Sequence, residues 1–178
     1  MKNILLTGLP GVGKTTIIKK VVELINKPGA GFYTEEIRKD NERVGFRLIT
    51  FDNKSCILAQ KSLKSPYYVG RYGVNIGCIE NIGVCAIKEG LLENKIIIID
   101  EIGKMELFSP QFKEIVLEAL DSKSIVLGTI LDRTEPFGDS IKRRNDVTII
   151  EVTLENRRGL ALDIVSMLMG NANMFMLK

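Results

Sequence analysis

The chain has 178 residues, 25 of them basic and 22 acidic, a net charge of +3 and no histidine. That length makes one domain, residues 1–178, the default. The small net charge gives no footprint for nucleic acid, the missing histidine excludes a His-based zinc site or a His general base, and no stretch approaches the ~18 apolar residues of a membrane span.

The first predicted element is a short buried strand, Ile4-Leu5-Leu6, and an amphipathic helix over 15–25 follows it, with Ile17, Ile18, Val21, Val22 and Ile25 on its inner face. Between them stands Gly8-Leu9-Pro10-Gly11-Val12-Gly13-Lys14-Thr15-Thr16, which carries the Walker A pattern G-x-x-x-x-G-K-T in its proper strand-to-helix setting. Glycines let the backbone curl tightly enough for successive N–H groups to cradle phosphates. The helix start adds free donors and a positive dipole end. In this reading Lys14 places its charge on the β- and γ-phosphates, and the Thr15 hydroxyl is a hard oxygen ligand for Mg²⁺. Residues 8 to 16 are thus the candidate nucleotide-binding loop.

Pro28-Gly29 ends that helix. Residues 31–38 and 43–51 read as a β-hairpin around the polar turn Lys39-Asp40-Asn41-Glu42, with Val44, Phe46 and Leu48 on one face of its second arm. Residues 55–60 form a further strand. Residues 65–74 are the longest irregular stretch; Tyr67, Tyr68 and Tyr72 there read either as packing at a loop edge or as a base-stacking lid. Residues 76–92 are a predicted helix interrupted by Gly77 and Gly83. The run Ile96-Ile97-Ile98-Ile99 is that of a strand buried on both faces, hence of a parallel sheet. Ser109-Pro110 starts a helix to about Leu120, residues 124–130 and 146–152 are strands, 136–144 holds a short helix, and Thr153 caps a last helix over 155–169, stopped by Gly170. Asn171 to Lys178 reads as a loosely held tail. Strands alternating with helices give an α/β, doubly wound, mostly parallel sheet.

Asp100-Glu101 closes the isoleucine run at the carboxyl end of its strand, where ligands of open α/β sheets bind. This is a Walker B pattern. Asp100 is assigned to Mg²⁺ beside Thr15, and Glu101 to orienting a water and accepting its proton. A glutamate after that aspartate is typical of P-loop proteins with one strand between the two motif strands, so the 124–130 strand is expected there, with Thr129 pointing at the γ-phosphate region. Lys104 and Glu106 read as a solvated pair or, for Lys104, as an offset to transition-state charge. Arg133, Arg143 and Arg144 are candidates for an arginine finger supplied in cis; Arg144, just before the 146–152 strand, is preferred.

Met1 to Leu6 imitates a signal start, but its apolar run stops at Thr7-Gly8. Cys56, Cys78 and Cys85 form no C-x-x-C pair, and their odd number points to reduced thiols and a cytoplasmic protein.

Gly8-Leu-Pro-Gly-Val-Gly-Lys-Thr15, Gly31-Phe-Tyr-Thr-Glu-Glu-Ile-Arg38, Asp100-Glu-Ile-Gly-Lys-Met-Glu-Leu-Phe-Ser109 and Leu127-Gly-Thr-Ile130 together resemble the small nucleoside-triphosphatase family of thermophilic bacteria and archaea, with a human member called cancer-related nucleoside-triphosphatase. Val69 to Val74 and Val152 to Arg157 also look like family segments. The resemblance spans about Asn3 to Met169. It implies a RecA-like P-loop domain with an added β-hairpin. It also implies Mg²⁺-dependent hydrolysis of ATP, GTP, CTP and UTP to diphosphate and phosphate, slow and with little base selectivity, and a basic residue near Arg144. Two other functions compete: a nucleotide or small-molecule kinase, supported by Asp132-Arg133 and opposed by Glu101, and a nucleotide-switched binding module with its apolar patch near Tyr67 to Tyr72.

Overall fold

The structure is a computed structural model and describes residues 2–170; the expectation for the tail lies outside them. Five strands run parallel in the order β2 (Gly29–Lys39), β7 (Ile96–Ile102), β8 (Val126–Ile130), β1 (Asn3–Thr7) and β9 (Val147–Glu151). β8 does lie between β1 and β7, with Leu127 in register with both Ile4 and Ile98. Side chains of a strand alternate between faces, and the isoleucine run shows the result. Ile97 and Ile99 join a core with Phe32, Ile87 and Phe112, while Ile96 and Ile98 join the opposite one with Ile17, Ile18 and Ile164. Helices α1 (Lys14–Ile25) and α6 (Leu160–Met169) cover the second face; α3 (Cys85–Leu92), α4 (Pro110–Asp121) and α5 (Pro136–Lys142) cover the first.

β2 is longer than its parallel partner needs. Gly29 to Phe32 pair with β7, and Phe32 to Lys39 pair antiparallel with β3 (Glu42–Thr50). The expected hairpin is therefore an outgrowth of a sheet strand, turned by Asp40 (φ 49°) and Asn41 (φ 63°) in the two left-handed positions that suit a tight hairpin. β4 (Ser55–Gln60), β6 (Tyr72–Val74) and β5 (Tyr68–Val69) extend it antiparallel. This extension stands beyond the carboxyl edge of β7 and walls the site.

Some expectations change. Residues 65–74 are not wholly irregular but contain the β5–β6 hairpin. Tyr72 is buried edge-on against Phe46, with centroids 5.3 Å apart, and Tyr67 packs on Phe108 at 5.1 Å. The 76–92 helix forms as α2 (Ile76–Cys78), a π-helical turn over Ile79–Val84 and α3; a Cβ on Gly83 would lie 3.2 Å from Leu48 and Phe32, so the glycine admits the core there. The last helix begins only at Leu160, because Thr153 and Asn156 bond to each other's backbone and spend residues 154–159 in turns. Cys56 and Cys78 form a disulfide, their Cα atoms 5.7 Å apart, leaving Cys85 as the exposed thiol. The pair was invisible in an odd count, since the antiparallel extension alone brings β4 beside α2. No helix of the described residues is long and apolar enough to cross a membrane.

Candidate functional site

The loop from Gly8 to Gly13 leaves the carboxyl end of β1. Gly8 has φ +129°, and a Cβ there would fall 2.6 Å from the Val152 carbonyl, so the loop can sit flush against the end of β9 only with glycine. Gly11 and Gly13 also have left-handed φ, and Cβ positions on both point into open space. Leu9 and Pro10 are exposed, and Val12 is buried among the side chains of the second core, pinning the loop. Lys14 Nζ donates back across the loop to the carbonyls of Gly8 (2.8 Å) and Leu9 (3.2 Å). Thr15 and the exposed Thr16 open α1.

β7 and β8 bring the second half. Asp100 is 3% exposed. Its Oδ2 accepts from Thr15 Oγ1 at 2.5 Å and its Oδ1 from Thr129 Oγ1 at 2.6 Å. Thr129, fully buried, thus reaches the cleft only through Asp100. The peptide between Asp100 and Glu101 is cis. Burial pushes the Asp100 carboxyl up, against the two threonine hydroxyls and the Lys14 charge. Glu101 is raised by burial and by the Asp100 charge, and Lys14 opposes. Glu106 is fully buried, not a solvated partner of Lys104, because the 3₁₀ turn Glu106–Phe108 faces it inward. Burial and then the charge of Glu101 push its carboxyl up to about 8. A cleft of about 530 Å³ joins the loop, Asp100, Glu101 and Glu106 to the extension, where Arg43 and Phe46 form the far wall. Asp100, Glu101 and a cation-bearing, donor-rich loop facing one cleft can hold a polyanion with its metal and place a base beside it.

A family model described as NTPase matches residues 3–165. A Thermotoga sp. (strain RQ2) protein named nucleoside-triphosphatase THEP1 is 50% identical over 168 residues, 94% of this chain and 96% of that protein. The human cancer-related nucleoside-triphosphatase is 36% identical, covering 93% of this chain and 95% of its own. The crystal structure of THEP1 from Aquifex aeolicus superposes with a TM-score of 0.86 at 42% identity, over 94% of this chain and 99% of that one. The chain belongs to this nucleoside-triphosphatase family. It has the family's P-loop α/β fold and is an enzyme.

Within this nucleoside-triphosphatase the arginine candidates scatter. Arg144 lies at the amino-terminal edge of the sheet, the opposite end from the loop, where it pairs with Asp146 (2.8 Å) and Asp121 (2.5 Å). Its neighbour Asp146 accepts from Asn3 Nδ2, at the start of β1, at 3.2 Å. Half of that position's appeal was its nearness to a strand, but the strand's near end is the wrong end. Arg143 caps α5 and is exposed. Arg133 is exposed in the turn after β8, next to Asp132, whose carboxylate accepts from Thr7 Oγ1 at 3.5 Å. Lys104 lines the cleft and is exposed.

Two arginines escaped the sequence reading. Arg157, in the turns before α6, donates to the Val12 carbonyl of the loop at 3.4 Å; its one signal was the Val152 to Arg157 segment. Arg43 is fixed by Glu36 (2.7 Å) and the Tyr72 hydroxyl (3.3 Å) at the cleft wall. Alternation along a hairpin arm carries no hint of that.

Proposed function

We propose that the enzyme hydrolyses the terminal anhydride of nucleoside triphosphates, releasing diphosphate and phosphate with Mg²⁺ and with tolerance for ATP, GTP, CTP and UTP. The observation that carries this is the 2.5 Å contact of Thr15 and Asp100 at the mouth of the Lys14 loop, with Glu101 in the same cleft. The donor set fits Mg²⁺. It offers two hard oxygens and, among the described residues, no cluster of three or more His, Cys, Asp or Glu that would make a full protein cage; Mg²⁺ keeps waters and phosphate oxygens for the rest of its shell. Bound there, the ion would neutralise and align the β- and γ-phosphate oxygens.

The chain's own groups then act in order. Loop N–H groups between Gly11 and Thr16 cradle the β-phosphate, Pro10 having none to offer, and Lys14 exchanges the Gly8 and Leu9 carbonyls for β- and γ-phosphate oxygens. Thr129 holds Asp100 in one rotamer. Glu101 orients a water on the far side of the γ-phosphorus and takes its proton as the new P–O bond forms. The bond to the bridging oxygen breaks and its electron pair leaves with the diphosphate. Burial and Asp100 raise the basicity of Glu101 towards that task. Backbone capture of phosphates ignores the base, which supports broad tolerance. One catalytic domain over residues 1–178 belongs to the same reading, and so does a cytoplasmic location, which rests on the supply of nucleotides and Mg²⁺ and not on reduced thiols, since Cys56 and Cys78 are paired.

The apolar far wall of the cleft, Phe46, Leu58 and Val69, exceeds what a triphosphate tail needs and favours a kinase as second reading. Phosphate release from the four triphosphates, with Mg²⁺ or with EDTA and with or without nucleoside and nucleotide acceptors, separates the two. Release without acceptor and only with Mg²⁺ is expected. Turnover that requires an acceptor would overturn hydrolysis.

A further inference from the structure

Gly103 is buried two residues beyond Glu101, at the end of β7. Its φ is not in the left-handed region, so its backbone would accept alanine. Room is what it provides. A Cβ built on Gly103 would lie 2.4 Å from Glu101 Oε1, 2.7 Å from its Cγ and 2.9 Å from its Cδ, and these three nearest atoms all belong to that one side chain. The backbone cannot yield instead, since the Gly103 carbonyl accepts from Leu107 N at 3.0 Å and the Ile102 carbonyl accepts from Leu131 N at 3.1 Å. The Glu101 carboxylate lies over the bare Cα of Gly103, in the cleft that Lys14 and Asp100 also line.

We infer that Gly103 is a positioning residue for hydrolysis, its missing side chain setting the rotamer from which Glu101 meets the attacking water. This rests on the proposed role of Glu101. A methyl group there would push the carboxylate out of line while leaving the phosphate loop and the Thr15–Asp100 contact untouched. Misplacing a base by about 1 Å costs on the order of 10²-fold.

The test is a pair of cycles. Gly103→Ala should lower kcat by roughly 10–100-fold with nucleotide affinity unchanged. In a Glu101→Gln background the same substitution should lower it no further than about twofold, because the base is already gone. In a Glu101→Ala background, where the space is vacant, Gly103→Ala should cost no thermal stability, whatever it costs alone. Equal losses of rate in both backgrounds, near-normal turnover of Gly103→Ala, or a folding defect that Glu101→Ala does not relieve would each overturn the inference. Should Glu101→Gln itself hydrolyse normally, the base is misassigned, and the stability cycle still decides whether Gly103 houses that side chain.

Discussion

At the amino-terminal edge of the parallel strands, charge is matched group by group. Arg144 holds Asp146 through two hydrogen bonds and Asp121 through a third. Lys2 Nζ caps the carbonyl of Leu120, and Asn3 Nδ2 reaches both that carbonyl and Asp146; the Asn3 Oδ1 oxygen alone is buried there without a partner among the described residues. At the carboxyl edge, roughly 13 Å away by the rise of β1, acidic groups gather instead. Asp100, Glu101 and Glu106 share one cleft, and the carboxyls of all three are pushed up by burial. Oppositely charged groups that pair stabilise a fold; acids crowded into one cleft and shifted together by burial mark a candidate functional site. Arg144 went to the first edge, and the sequence motifs to the second, where Arg43 and Arg157 also stand.

The sharpest way to break that contrast is Lys14→Ala. It removes the charge that the β- and γ-phosphates would share, so kcat/KM should fall by about 10³-fold, while the variant still folds, because among the described residues the hydrogen bonds of Lys14 go to loop carbonyls and not to the core. A folded variant with near-normal turnover would sink the loop assignment.

Next come the neighbours Glu101 and Asp100. Glu101→Gln keeps shape and loses basicity, so single-turnover hydrolysis should drop by about 10²–10⁴-fold with little change in nucleotide affinity. Asp100→Asn should weaken Mg²⁺-dependent binding as well. If both variants lose affinity alike, Glu101 belongs with the metal ligands.

Glu106 tests the carboxyl edge through stability. Its carboxyl has an ordinary value of 4.5 and titrates at about 8 in the fold. The folded state therefore binds more protons across that window, its contribution is complete below about pH 4.5, and stability is lost as pH rises through 8. Thermal melts of nucleotide- and metal-free Glu106→Gln should decline less steeply with pH than wild type and lie above it at alkaline pH. Parallel curves would show that Glu106 is not the titrating group.

What the sequence disclosed, it disclosed where chemistry is local. The loop is a contiguous run, Asp100 and Glu101 are adjacent, and the isoleucine run announces a central strand. The strand order followed from Glu101. Features made by distant segments were hidden. Arg144 needs Asp121 and Asp146 to become an anchor, the Cys56–Cys78 pair needs β4 beside α2, and the inward aim of Glu106 needs the 3₁₀ turn. Gly103 was hidden differently: it stands in the motif, but its value is a steric relation to a rotamer, and spacing does not encode rotamers.

The smallest expected effect is the most diagnostic for the contrast between edges. Arg144→Ala should leave kcat and KM within about threefold, because the guanidinium lies a strand's length from the phosphate loop. It should lower stability by roughly 1 kcal/mol, since the pair is partly solvated and exposed ion pairs are screened, or about 2–4 °C for a chain of this size. The loss should depend on pH. The Arg144 guanidinium holds the Asp146 carboxyl below its ordinary 3.8, so the stabilisation is present above that value and disappears as pH falls through the lowered one. Wild-type and variant melting temperatures should therefore converge in strong acid, and also in high salt. A loss of 10²-fold or more in turnover with unchanged melting would instead require Arg144 to leave Asp121 and Asp146 for the γ-phosphate, and the two edges would have to exchange residues during the reaction.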